Sequence, residues 1–437
     1  MPVVPSRLPV RLFATLVFFT VLAGQFWRNL LGWWGFGAIA VLIVAGSVYF
    51  LVSTKPAWAW RTFPKSLAGF MLLATLSLAW SAYPAVSALG ITLQWITTIT
   101  ALFVGLCLSW TELLRTLAVA LRLILGLSLL FEAVVAIFIG HAVLPFWVEY
   151  TGKIPAAFYW SRGLLLDGGP VEGIVASRNL LGFIALIALI VFAVQLFAGT
   201  VARGRGIFWV ALALVMLWLT RSATVTVALA AVAVALGFAI WARRVPPLGR
   251  RGLYLTAGGA AAAIVIGVAA FSSTLLGLLG KSDDLTGRFD IWNRVIELAG
   301  QRTVAGWGWV SYWAPWVEPF DGLAVRKGVQ YLQAHNAWLD VWLQLGILGL
   351  IVFGALAVST LWRSWFLAVD RPRLGISDTA PYAVTALLPL LVTVALLAQS
   401  LAESRLLVES GWLLLIVLAV KTKRPTAAEE LLGVGRK

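Results

Sequence analysis

Long, nearly charge-free apolar runs recur along this chain, and they constrain the fold more than anything else in it. Residues 178–198, RNLLGFIALIALIVFAVQLFA, carry a single charge, and it stands at the opening. Twelve runs of this kind are read at 11–27, 31–53, 66–82, 86–108, 114–139, 178–198, 206–219, 222–241, 252–279, 336–362, 380–402 and 410–420. A helix of about 20 apolar residues crosses the roughly 30 Å hydrocarbon layer of a bilayer. Only helices and closed barrels satisfy their backbone groups there, and the alternating pattern of a barrel is absent. The expected fold is therefore an all-α integral membrane protein of about 12 transmembrane helices, with residues 1–437 forming one membrane domain. Charged residues make up 12% of the chain, against about 25% in soluble domains. The first run follows Arg7 and Arg11 but lacks a small-residue cleavage site, so it reads as a retained span.

The formal net charge of +15 is distributed unevenly. Alternate short connections hold Arg7 and Arg11, then Lys55, Arg61 and Lys65, Arg115, Arg203 and Arg205, the arginines at 243, 244, 250 and 251, Arg363, Arg371 and Arg373, and the Lys421–Arg424 segment. The short connections opposite hold only Arg28, Arg221 and Arg405. The positive-inside rule makes the basic side cytoplasmic, with both termini on it. The excess charge is thus a topology signal and an attraction to anionic headgroups, not the footprint of a nucleic-acid binder. One cysteine, Cys107, excludes an internal disulfide and a cysteine metal cluster. Two long connections fall on the far side: a first periplasmic loop at 140–177 and a larger one at 280–335. Connections this long are usually functional or disordered; these are rich in Trp, Tyr, Phe and Gly and are expected to be ordered near the membrane surface.

Polar residues stand out against such a background. LTGRFDIWNRVIELAGQR, 285–302, forms an amphipathic helix. Phe289, Ile291, Trp292, Val295, Ile296, Leu298 and Ala299 fill one half of its wheel, while Asp290, Asn293, Arg294, Glu297 and Gln301 fill the other. Arg288 falls on the apolar half, either snorkelling to headgroups or facing inward as an anion ligand. In LTRSATVTVALA, 219–230, Arg221 interrupts a hairpin between two runs, as an interfacial anchor or as a charge facing a cavity. Ser177, Arg178 and Asn179 open a helix, where capping and substrate contact compete. GWGWVSYWAPW, 306–316, places Trp307 and Trp309 in a glycine-rich loop that fits a sugar-stacking platform or an interfacial anchor equally well. His335 and Asn336 stand at the mouth of an apolar helix; imidazole there suits proton transfer near neutral pH or simple hydrogen bonding at a helix start. His141 reads as structural, and Asp283 and Asp284 as capping residues. Arg178, Arg221, Arg288 and His335 all lie on the side where cations should be rare, which points to a bound anion. The candidate catalytic residues are His335, Arg288 and Arg221; the candidate substrate-binding residues are Arg178, Asn179, Asn336, Trp307 and Trp309. No metal or cofactor site is expected.

Taken in order, LTRSATVTVALA, LTGRFDIWNRVIELAGQRTVAGWGW and HNAWLDVWLQLGILGL resemble the successive signatures of the bacterial O-antigen ligase and polymerase superfamily, over roughly residues 170–360. The resemblance implies an inverting, metal-independent glycosyltransferase of the GT-C type. It would move O-antigen polysaccharide from undecaprenyl diphosphate to the lipid A core oligosaccharide, completing lipopolysaccharide at the periplasmic face of the inner membrane. Carried over, His335 becomes the general base, and Arg221 and Arg288 the diphosphate cradle. Wzy-type polymerases share the chemistry. Protein O-oligosaccharyltransferases share the His-Asn region but often add a C-terminal domain, whereas this chain stops about 17 residues past its last run. A flippase of the same lipid-linked glycan would want ionisable groups deep in several spans; only Arg122 and Glu132 offer themselves.

Overall fold

The computed structural model describes residues 7–148, 150, 154–270, 283–326, 328–371 and 381–424. The chain is an all-α integral membrane protein. Its helices are α1 (Leu8–Leu22), α2 (Gly24–Thr54), α3 (Lys65–Leu76), α4 (Pro84–Cys107), α5 (Trp110–Val134), α6 (Arg178–Phe197), α7 (Arg203–Thr220), α8 (Ala223–Arg244), α9 (Arg251–Ala270), α10 (Asp283–Gln301), α11 (Ala337–Val369), α12 (Leu387–Ser400) and α13 (Glu409–Lys423). Among the described residues seven helices are long and apolar enough to cross a membrane: α2, α4, α5 with the π-turn that extends it to Ile139, α6, α7, α8 and α11. Helices α1, α12 and α3 with its 3-10 extension are shorter and apolar. The expected run at 252–279 corresponds to α9, and its last residues, 271–279, lie outside the described residues, as do Arg373 and both chain ends.

Local sequence explains several boundaries. Ser109 and Glu112 form a capping box at the start of α5, satisfying two backbone donors that a helix end leaves open. The Ser177 hydroxyl accepts from Leu180 N at 3.4 Å and caps α6. Helix α11 is bent at Gly346, where φ is +64° and a Cβ would collide with the Val304 carbonyl. Core and periphery separate cleanly: Ser410 to Lys421 of α13 is buried throughout, and α6 is mostly buried, whereas α2 is mostly exposed on the outside.

The bundle has two distinct ends. At one, cations sit on the carbonyls that close α4 and α11. Arg7 donates to Cys107 O at 3.1 Å, Lys421 to Leu108 O at 2.8 Å and Arg250 to Val369 O at 2.9 Å. Cations at helix C-termini complement the helix dipole. At the other end lie the start of α4, the α7–α8 turn, the start of α6, α10, the start of α11 and the α12–α13 turn. There α10 contributes Ile291, Val295 and Ala299 to a second apolar core, with Tyr83, Val310, Trp313, Phe320 and Leu343. Asp290, Asn293, Arg294, Glu297 and Gln301 are exposed, as the wheel expects; Ile296 is the exception, exposed beside them.

Candidate active site

The site is organised by a residue that the sequence reading passed over. Glu403, in the α12–α13 turn, is buried and collects three side chains from three other elements. Arg288 Nη2 donates to its Oε1 at 2.9 Å, and Asn179 Nδ2 donates to the same oxygen at 3.1 Å. His335 Nδ1 lies 3.0 Å from Oε2. Asn179 in turn accepts from the Ser222 hydroxyl at 2.8 Å through Oδ1, which ties the α7–α8 turn to the same cluster.

Local backbone holds His335 in place. Its φ of +52° is left-handed, a region non-glycine residues resist. Both neighbours are clamped. Ala334 N donates to Asp340 Oδ2 at 3.0 Å, and Asn336 N donates to Ser404 Oγ at 3.1 Å. The Ser404 hydroxyl completes the clamp by donating to Asp340 Oδ2. The ring edge meets Tyr331, with centroids 5.1 Å apart.

Electrostatics follow from this packing. Burial alone would push the Glu403 carboxyl up; His335, Arg288 and Arg405 more than offset it and hold the group down at about 2. Glu403 is therefore an anion at neutral pH. An ionised carboxylate only accepts hydrogen bonds, so the neutral ring carries its proton on Nδ1 and keeps a lone pair on Nε2. The pair thus has the orientation logic of a carboxylate–histidine base.

The remaining candidates divide. Arg288 is inward-facing and buried, which removes the snorkelling alternative. Arg221 does not join the hydrogen-bonded cluster: it is exposed, at φ +48°, with its guanidinium against Gly168 of the first long connection. Its neighbour Ser222 makes the link instead. Arg178 opens α6, half-buried, one residue before Asn179. Three of the expected substrate-binding side chains are engaged by the fold. Trp309 is fully buried and edge-on to Phe70 at 5.3 Å, so its face is not open to a sugar. Trp307 is half-buried; its indole N–H donates to Leu298 O at 3.0 Å, and Arg302 covers its ring at 4.2 Å. Asn336 spends its side chain on the fold: Oδ1 caps α11 by accepting from Trp338 N at 3.0 Å, and Nδ2 donates to Leu401 O at 3.3 Å. The glycine-rich loop packs on α11, with Val310 N and Ser311 N both donating to Gln344 Oε1.

Arg122 and Glu132, the two ionisable groups deep within α5, are both engaged locally. Arg122 donates to Gln195 at 2.6 Å. Glu132 accepts from Ser161 Oγ at 2.7 Å and from the Glu172 and Gly173 amides at 2.9 and 2.6 Å. Among the described residues no group of three or more His, Cys, Asp or Glu could hold one metal ion. Glu403 had one signal in the sequence: LAESRLLVES, 401–410, interrupts two apolar runs with acids on the side already rich in unexplained cations.

Residues 206–354 match the family model described as O-antigen ligase. That segment contains Arg221, Arg288 and His335 but neither Asn179 nor Glu403. The chain is also 27% identical over 204 residues to the exopolysaccharide production protein ExoQ of Rhizobium meliloti (strain 1021), covering 43% of this chain and 45% of the relative. The alignment thus spans less than half of that relative's length. Family match, relative and motif order together support membership of the O-antigen ligase superfamily.

Proposed function

We propose that this protein is an inverting glycosyltransferase that transfers O-antigen polysaccharide from undecaprenyl diphosphate to the lipid A core oligosaccharide. In this reading the Glu403 end of the bundle faces the periplasm, and the basic end and both termini face the cytoplasm of an inner-membrane protein. The observation that carries the reading is the His335–Glu403–Arg288 cluster at a bundle end bordered by aromatic connections. An acceptor hydroxyl attacks the anomeric carbon, and the bond from that carbon to the diphosphate oxygen breaks. The diphosphate leaves with the electron pair, and His335 Nε2 takes the hydroxyl proton. The leaving group departs ionised, so it needs charge stabilisation and no acid. Arg288 keeps further N–H groups beyond the one on Glu403, and Arg221 adds an exposed guanidinium; together they are the diphosphate cradle, with Arg178 and Asn179 beside it. Glu403 orients the ring and balances the imidazolium formed in transfer.

A second reading follows from the relative's name, which concerns exopolysaccharide production. The same cluster would then join one lipid-linked glycan to another, as a polymerase. Deletion of the gene with analysis of surface glycan separates the two. Loss of all polymer from the core, with lipid-linked polymer accumulating, is the ligase result. A single repeat still attached to the core is the polymerase result. Unchanged surface glycan contradicts both.

A further inference from the structure

At the basic end of the bundle, independently of the transferase reading, lies a cavity of about 540 Å³ lined by Leu51, Val52, Trp58, Phe63, Leu102 and Leu106, with Lys55, Pro56 and Trp60 completing it. It stands at the C-terminal end of α4. The residues just before that helix pack on the glycine-rich loop at the opposite end of the bundle, where Ala82 N donates to Trp307 O at 3.1 Å. Twenty-four residues of helix at about 1.5 Å each separate the two by about 36 Å. The cavity floor is aliphatic. Its wall is aromatic: Trp60 and Phe63 stack with centroids 6.0 Å apart. Trp58 and Trp60 are 64% and 56% exposed, with indole rings of the kind that settle at headgroup level. Its rim is basic. Lys55 closes α2 in a left-handed conformation, Arg61 is exposed beside Trp60, and Arg424 donates to Ala57 O at 2.7 Å and Leu106 O at 3.2 Å.

An apolar slot, a tryptophan collar and a cationic rim follow one another in the order of acyl chain, glycerol backbone and phosphate. We infer that this cavity is a binding site for one anionic phospholipid, its acyl chain in the slot against Leu51, Leu102 and Leu106 and its phosphate at Lys55 and Arg61. Charge complementarity selects the occupant, because a zwitterionic lipid presents its own cation to the same rim.

The test uses the purified full chain in nanodiscs and phosphatidylglycerol carrying a photoreactive diazirine in one acyl chain, with labelled peptides mapped by mass spectrometry. Labelling is expected to concentrate on residues 51–63 and 102–106 and to be displaced by unlabelled phosphatidylglycerol but not by phosphatidylcholine. Lys55→Gln and Arg61→Gln, both at exposed positions and outside the transfer machinery, should each weaken that displacement about fivefold, the scale of one basic residue at an anionic surface. Labelling spread evenly over the lipid-facing helices, or equal competition by phosphatidylcholine, overturns the proposal. Labelling that appears only when the chain is ended at Arg424 also overturns it and gives the cavity to residues 425–437.

Discussion

Two buried carboxylates near the same end of the bundle do the same mechanical job with different partners. Glu132 gathers a hydroxyl and two backbone amides, and so fastens the connection around Gly173 to α5. Gly173 itself is confined there, at φ +59° with Ser128 where a Cβ would stand. Glu403 gathers Arg288, Asn179 and His335. The Glu132 partners neither titrate nor carry charge, so nothing in that knot changes during a reaction. The Glu403 partners include a permanent cation and an imidazole, a side chain that exists with one ring proton or with two. A buried acid marks chemistry when its partners can change state, and marks architecture when they cannot.

That contrast is exposed to experiment. The largest loss is expected from Glu403→Gln, which keeps the shape but removes the charge that fixes the ring. By analogy with other carboxylate–histidine pairs, transfer should fall by up to about 10⁴-fold, measured as turnover of lipid-linked donor by purified protein. Arg288→Ala should cost about 10²–10³-fold in the same assay, the scale of one oxyanion-stabilising donor. Arg288→Lys should recover only part, since a point charge does not reproduce the guanidinium fork. An Arg288→Ala variant with full activity would make that arginine a structural partner of Glu403 and nothing more.

Glu132→Gln should leave turnover per folded molecule unchanged while lowering stability by about 1–3 kcal/mol, because an amide cannot accept from all three donors and one is left unsatisfied. A loss of turnover in the folded variant would erase the distinction between the two acids. The smallest effect is a pH signature. Glu403 is held below its ordinary value, from 4.5 to about 2, so its contribution to stability is fully present above about 4.5 and is lost as pH falls towards 2. The melting-temperature gap between wild type and Glu403→Gln should shrink as pH falls through that window. A gap that widens on acidification would contradict the assigned ion pairs.

Much of this was legible in the sequence, for physical reasons that also explain what was not. A run at 178–198 becomes Arg178–Phe197 and one at 222–241 becomes Ala223–Arg244, because polar ends bracket a continuous apolar stretch. The run read at 11–27 is instead divided at Ala23, between α1 and α2; both sides are apolar, so hydropathy carries no mark of the break. Arg288 and His335 were conspicuous because each is polar where its surroundings are apolar. Glu403 was not, since an acid in a short turn is ordinary until its partners are known, and they lie 115 and 68 residues away. Trp309 of the glycine-rich loop shows the opposite limit: composition could not tell a ring facing a substrate from one packed on Phe70.

The central claim is that His335, oriented by Glu403, takes the acceptor proton. The most direct measurement is the single-turnover rate of His335→Gln with lipid-linked donor and acceptor, alongside donor affinity. An amide can hydrogen-bond Glu403 but cannot accept the proton, so the rate should fall by about 10²–10⁴-fold with donor binding retained. Transfer at the wild-type rate would mean that the ring only orients or caps, and the base would have to be sought elsewhere.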